Sequence, residues 1–166
     1  MKTTTFIFLL FSCLNALGQQ SGRDYDRYKV LRLGLGYSYV GAQDGEQAYH
    51  FIDLGVNRAR YGGRHGGGFQ YGIGTEIGIN THGFMVGPKA EGMVYFQFLA
   101  IGAALVTFTD FEAFSPRLVP VLGLGNEKVR LTFNPHIVFA NRDLLPVPGF
   151  VNLAVNFTLD RKKYDK

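Results

Sequence analysis

Seven charged residues, Arg32, Asp53, Glu76, Lys89, Glu91, Arg117 and Arg130, fall at positions that alternate with apolar residues along the chain, so an extended backbone turns them to one face. Four are basic and three acidic. Charges removed from water need partners, and this near-balance suits a salt-bridge network that fills a closed interior. The rival chemistry is a carboxylate pair in which one member holds its proton and works as an acid or base. Turn positions bear on the choice. A hairpin centred between Arg64 and His65 sets Asp53 opposite Glu76, and one centred on His82 sets Glu76 beside Pro88, within diagonal reach of Lys89.

Asn134 and His136 belong to the same inward class. A histidine can activate a hydroxyl for acyl transfer, as in lipid-modifying barrel enzymes, but the hydroxyl must lie within hydrogen-bond reach. Val138 and Phe139 follow His136, while Ser21, Ser38 and Ser115 are distant in sequence, so an interior imidazole is the simpler reading. His50, His65 and His82 lack metal-ligand spacing. The run Arg64-His65-Gly66-Gly67-Gly68 lacks the Lys-Ser/Thr of a phosphate loop. No catalytic residue, metal site or cofactor is therefore expected.

Strands must position these residues. With 166 residues the chain allows one domain, and 22 glycines argue against helices, each costing about 1 kcal/mol in a helix interior. Period-two alternation recurs in Leu31–Val40, Ile52–Arg60, Phe69–Asn80, Val129–Ala140 and Val151–Leu159. Phe84–Tyr95, Phe98–Thr109 and Phe114–Leu124 complete eight strands with less clean phases. There Pro88, Pro116 and Pro120 must sit where no ladder donor is needed. Turn residues separate most strands, but Phe96-Gln97-Phe98 carries no such signal.

The N-terminus reads as a secretory leader over residues 1–18, with Lys2, the apolar run Phe6–Phe11 and small Ala16 and Gly18 before the cleavage point. Leu10-Phe11-Ser12-Cys13 offers lipoprotein processing as an alternative, although Phe11 is bulky for that site. Removing Lys2 with the leader lowers the formal charge from +4 to +3, too mild to imply nucleic acid. Arg161-Lys162-Lys163 reads as a solvated tail.

Strands of about 10–12 residues match the height of a membrane-crossing strand, where soluble ones run nearer 5–6. The class opposite the apolar one is rich in glycine and asparagine, a poor soluble surface. Gly34, Gly36, Gly55, Gly72, Gly74 and Gly78 would instead line a narrow interior. Tyr37, Tyr39, Phe108, Phe111 and Phe114 at one rim, and Tyr61, Phe69, Tyr71, Phe96 and Phe98 at the other, fit aromatic girdles.

Gly87-Pro88-Lys89-Ala90-Glu91, Thr107–Phe111, Pro120–Gly125 and an asparagine-bearing last strand together resemble small uncharacterised outer-membrane β-barrel proteins of Bacteroidetes-type bacteria. The resemblance runs over about residues 30–159. It implies an eight-stranded outer-membrane barrel and brings no catalytic residues; the charged tail departs from the usual aromatic chain end.

The expectation is an all-β, eight-stranded antiparallel up-and-down transmembrane barrel over residues 29–160. It follows a leader (1–18) and linker (19–28) and precedes a charged tail (161–166). The expected role is structural, or accessory to a larger envelope complex, with outer-membrane lipid as the main partner. The alternatives are a lipid-modifying barrel enzyme and a soluble periplasmic barrel holding an apolar ligand.

Overall fold

The computed structural model describes residues 27–42, 47–62, 67–81 and 83–164. The leader, Cys13, Ser21, His65 and His82 lie outside the described residues. Nine strands run in chain order: β1 Arg27–Val40, β2 Tyr49–Gly62, β3 Gly67–Gly78, β4 Val86–Phe96, β5 Leu99–Thr109, β6 Phe114–Gly125, β7 Val129–Pro135, β8 Ile137–Val138 and β9 Gly149–Tyr164. All pairings are antiparallel, β1 bonds to both β2 and β9, and β5 bonds to β6, so the sheet closes on itself. β7 and β8 are two pieces of one stave, which makes an eight-stave barrel with its sheet edges joined.

That stave breaks for a local reason. Leu122 pairs with Phe133 and Leu118 with Ile137, and this common register brings Pro120 opposite Pro135. Neither proline carries an N–H, so the ladder has nothing to donate across that rung. The strand expected over Val129–Ala140 is interrupted accordingly, and past Val138 the chain leaves the sheet through a 3-10 turn, Arg142–Leu144.

Alternation sets the faces. In β1, Arg32, Gly36 and Ser38 are buried while Leu33, Leu35, Tyr37 and Tyr39 are exposed. In β5, Ala104, Val106 and Phe108 are buried while Ile101 and Leu105 are exposed. The apolar class thus faces out, with Ile73 at 72% exposure and Leu105 at 60%. Close strand approach requires glycine inside: a Cβ on Gly72 would lie 2.6 Å from the Val56 carbonyl oxygen and 2.7 Å from the Asn57 Cβ.

Five expectations are corrected. Residues 161–164 do not form a tail, because β9 continues to Tyr164 against Arg27–Leu31, and Arg27 and Tyr28 belong to β1 rather than a linker. A bulge beside Leu31/Arg32 permits this, since it adds Leu159 and re-phases the residues after it. Tyr61 and Phe108 face inward rather than joining the girdles: Tyr61 shares the phase of Asp53 and Asn57, and Phe108 that of Ala104 and Val106. The β3–β4 register is one residue tighter than a hairpin centred on His82, placing Glu76 opposite Gly87 and turning Pro88 outward. Phe96 and Leu99 flank a two-residue turn with Gln97 in the left-handed region (φ 54°), a place where glycine would have signalled the turn.

Candidate functional site: a charged lumen and a capped mouth

The lumen has two zones. In the first, Asp53 and Glu76 stand opposite each other on β2 and β3, as the hairpin arithmetic requires. Lys89 from β4 reaches between them, its Nζ 2.6 Å from Asp53 Oδ2, 3.5 Å from Glu76 Oε1 and 3.9 Å from Glu91 Oε2. Arg130 from the far wall donates to both oxygens of Glu91 at 3.2 Å and to the Tyr95 hydroxyl at 3.3 Å. Gln70 ties the cluster together, donating to Glu91 at 3.0 Å and accepting from the Tyr95 hydroxyl at 3.1 Å. The void among these groups is about 20 Å³, the room one water occupies.

Five of the seven expected charges therefore meet: Asp53, Glu76, Lys89, Glu91 and Arg130. Arg32 and Arg117 do not join them, although both are buried on the inward class. Arg32 sits nearer the chain-terminal end, donates to the Glu127 carbonyl at 3.0 Å and lies 5.0 Å from the centre of the Tyr61 ring. Asn156 bonds the same carbonyl at 3.1 Å and accepts from Asn57 at 3.0 Å.

Arg117 lies in the second zone, at the opposite mouth. There Phe51, Phe108, Phe150, Leu145 and Val147 fill the barrel, with the Phe51 ring 5.0 Å from Phe150 and 5.5 Å from Phe108. Leu145 and Val147 come from the β8–β9 connection, which folds back into the opening. Arg117 holds it there, donating to the Leu145 carbonyl at 2.6 Å and to Ser115 Oγ at 3.2 Å, while Ser115 donates to the Ala140 carbonyl at 3.0 Å. An open cleft of about 340 Å³ lies between the stave end and this connection, lined by His136, Phe139, Arg142 and Pro148 among others.

Folding does bring Ser115 toward His136, which sequence distance did not show, but with Arg117 between them. The guanidinium has only donors, so at 3.0 Å the His136 Nδ1 must accept, and the ring proton is assigned to Nε2. His136 packs edge-on to Phe150 at 4.8 Å. Asn134 faces the lumen half-buried. His50 bonds the Tyr37 hydroxyl at the rim. Among the described residues no group of His, Cys, Asp and Glu could hold a metal ion.

Gln70, Tyr95 and Asn156 are the members that sequence reading missed. Asn156 lay on an identified inward face, whereas Pro88 obscured the phase that turns Tyr95 inward.

Geometry thus defines the class: a closed eight-stave antiparallel β-barrel with an occupied lumen, charged in one zone and apolar at one mouth, and an apolar outer wall. No protein-family model, curated protein or solved structure matches the chain.

Proposed function

We propose that this chain is a small outer-membrane β-barrel without catalytic activity, structural or accessory to a larger envelope complex. The observation that carries this reading is the inverted placement of residue classes: Ile73, Ile101, Leu105, Leu131 and Phe157 are exposed, while Asp53, Glu76 and Arg130 are buried. In water the exposed wall would leave a continuous apolar surface, whereas hydrocarbon is the solvent it suits. The 11 residues of β5, at about 3.4 Å each and tilted by about 40°, rise roughly 28 Å, close to the height of a bilayer core.

The way the polar groups are used supports a role without catalysis. The network spends most of its donors and acceptors on one another, Glu76 Oε2 and Arg130 Nε being left buried without a hydrogen-bond partner, and His136 Nδ1 is occupied by Arg117 rather than offered to a hydroxyl. The packed lumen supports a structural role over transport. The leader read from residues 1–18 and the sequence resemblance to small outer-membrane barrels support the same reading. The test is fractionation of expressing cells, with gel mobility compared before and after boiling in detergent. Recovery with outer membranes and a heat-dependent shift are expected; recovery in the soluble periplasmic fraction would contradict the reading.

A further inference from the structure

Arg117, 1% exposed, is a buried cation whose partners are all neutral. Its guanidinium meets the Ser115 hydroxyl, His136 Nδ1 and the Leu145 carbonyl, and lies 5.3 Å from the centre of the Phe108 ring. Lys89 and Arg130, whose side chains are also buried, instead meet carboxylates at 2.6 and 3.2 Å. Among the described residues no acid pairs with Arg117, and the charge that acts on it is a second cation, Arg142. A buried charge without a counter-charge is costly, so this mouth favours the arrival of an anion.

Room for one lies alongside. Arg142 is exposed at the lip of the open cleft of about 340 Å³ that His136 also lines, and it is the charged residue of that lining; Asp143, next in the turn, lies outside it. The backbone that carries Arg142 is fastened at three points. Ser115 donates to the Ala140 carbonyl at 3.0 Å, the Asn141 side-chain amide to the Phe114 carbonyl at 2.8 Å, and Arg117 to the Leu145 carbonyl at 2.6 Å. Binding there need not order the segment, which lowers its entropic cost.

The donors suit an oxyanion. His136 accepts from Arg117 at Nδ1, so the ring's own donor is Nε2–H, and the charge-assisted bond behind it polarises the ring and strengthens that donor. Arg142 adds a planar fork that matches two oxygens of one anion. Two guanidinium groups call for a dianion. A phosphate monoester carries about −1.5 to −2 charges at neutral pH, whereas a carboxylate carries one. Phe139, exposed, borders the same cleft, so a dissolved ester and a lipid headgroup both have access.

We propose that the cleft between the stave end and the β8–β9 connection binds the phosphate-monoester group of a ligand, with Arg142 and His136 Nε2–H as its donors and Arg117 as the charge behind His136. The site needs the geometry of the mouth and not a lipid-facing wall, so it stands or falls apart from the membrane assignment.

The full chain, folded in zwitterionic detergent micelles, is titrated with inorganic phosphate, with acetate and, in a separate arm, with phosphatidic acid carried in the micelles. The nitrogen resonances of the His136 imidazole and the Arg142 guanidinium are followed. Saturable shifts with a phosphate probe are expected, with acetate binding about tenfold or more weakly because it leaves one cation unmatched. Saturation by inorganic phosphate assigns a dissolved ester as the source, and saturation by phosphatidic acid alone assigns a lipid headgroup. Arg142→Gln should weaken binding about tenfold or more, as loss of hydrogen bonds from a charged group does, while Lys128→Gln, exposed at the opposite end, should leave it unchanged. No saturable shift with either phosphate probe, acetate binding as tightly as phosphate, or equal weakening by Lys128→Gln would overturn the site. Undiminished binding by an Arg142→Gln protein that keeps its circular dichroism spectrum would overturn it as well.

Discussion

Lys89 bridges Asp53 and Glu76: its ammonium lies 2.6 Å from one carboxylate and 3.5 Å from the other, and the two acids face each other on adjacent strands. Lys89 also approaches Glu91, the acid that Arg130 grips from the far wall. Removing it would leave opposed carboxylates buried without their shared cation. Lys89→Ala is expected to destabilise the barrel by about 3–5 kcal/mol, the cost of breaking a buried pair. Glu76→Ala should cost less, because Asp53 keeps the closer contact. Urea unfolding of the reconstituted protein checks both, and equal midpoints for Lys89→Ala and the unaltered protein would refute the network's role.

The two faces of β3 should fail for different reasons. Ile73→Arg places a charge at mid-strand on the apolar wall, at a cost of roughly 2–4 kcal/mol near a bilayer midplane. Gly72→Leu instead forces a side chain where even a Cβ meets Val56 and Asn57, costing about 1–3 kcal/mol or more through overpacking. Refolding yields in vesicles and in detergent separate the two. The Ile73→Arg defect should ease in detergent, where water can reach the charge, and the Gly72→Leu defect should persist.

At the mouth, Arg117→Met keeps the stem and removes the donors to Leu145 and Ser115. Hydrogen bonds to a charged group contribute about 1.5–3 kcal/mol each, so the β8–β9 connection should loosen while the barrel persists. A cysteine placed at Val147, now buried, should become reactive to a water-soluble maleimide in the Arg117→Met background only. Equal protection in both backgrounds would show that packing alone holds the cap.

Asp110 supplies a pH-dependent feature outside the strands. Its carboxylate accepts from the backbone N–H groups of Ala113 at 2.8 Å and Glu112 at 3.0 Å, and these bonds hold its pKa below the ordinary aspartate value. Because the folded value is lowered, this stabilisation of the β5–β6 turn is present above the unfolded aspartate pKa and lost as pH falls through the folded one. The amide proton shifts of Glu112 and Ala113 should titrate together, with a midpoint below that of an exposed aspartate. A midpoint at or above the ordinary value would contradict the geometry.

Period-two alternation made most of the barrel legible, because a strand that separates two solvents writes one residue class on each face. Asp53 opposite Glu76 followed from hairpin counting alone. The prolines were harder to read. Pro120 was marked as needing a place without a donor, but its opposition to Pro135, which splits the seventh stave, depends on a register that no local signal fixes. The charged residues at the chain end read as solvent-bound because Leu159 disguises the phase; only the bulge shows that Lys162 continues the outer wall. Arg117 was placed inward but assigned to the wrong group, since position along the barrel axis depends on strand stagger as well as on side-chain phase.

The account depends most on what the apolar wall touches. Single cysteines at Ile73, Leu105 and Arg60, in a chain lacking Cys13, can carry an environment-sensitive fluorophore on the outer face without disturbing the lumen. In vesicles containing lipids brominated at mid-chain, fluorophores at 73 and 105 should be quenched strongly and that at 60 weakly. This would place the first two in the hydrocarbon and the third at its edge. Equal insensitivity at all three positions, in protein that has kept its fold, would mean that the wall does not face lipid and would contradict the central claim.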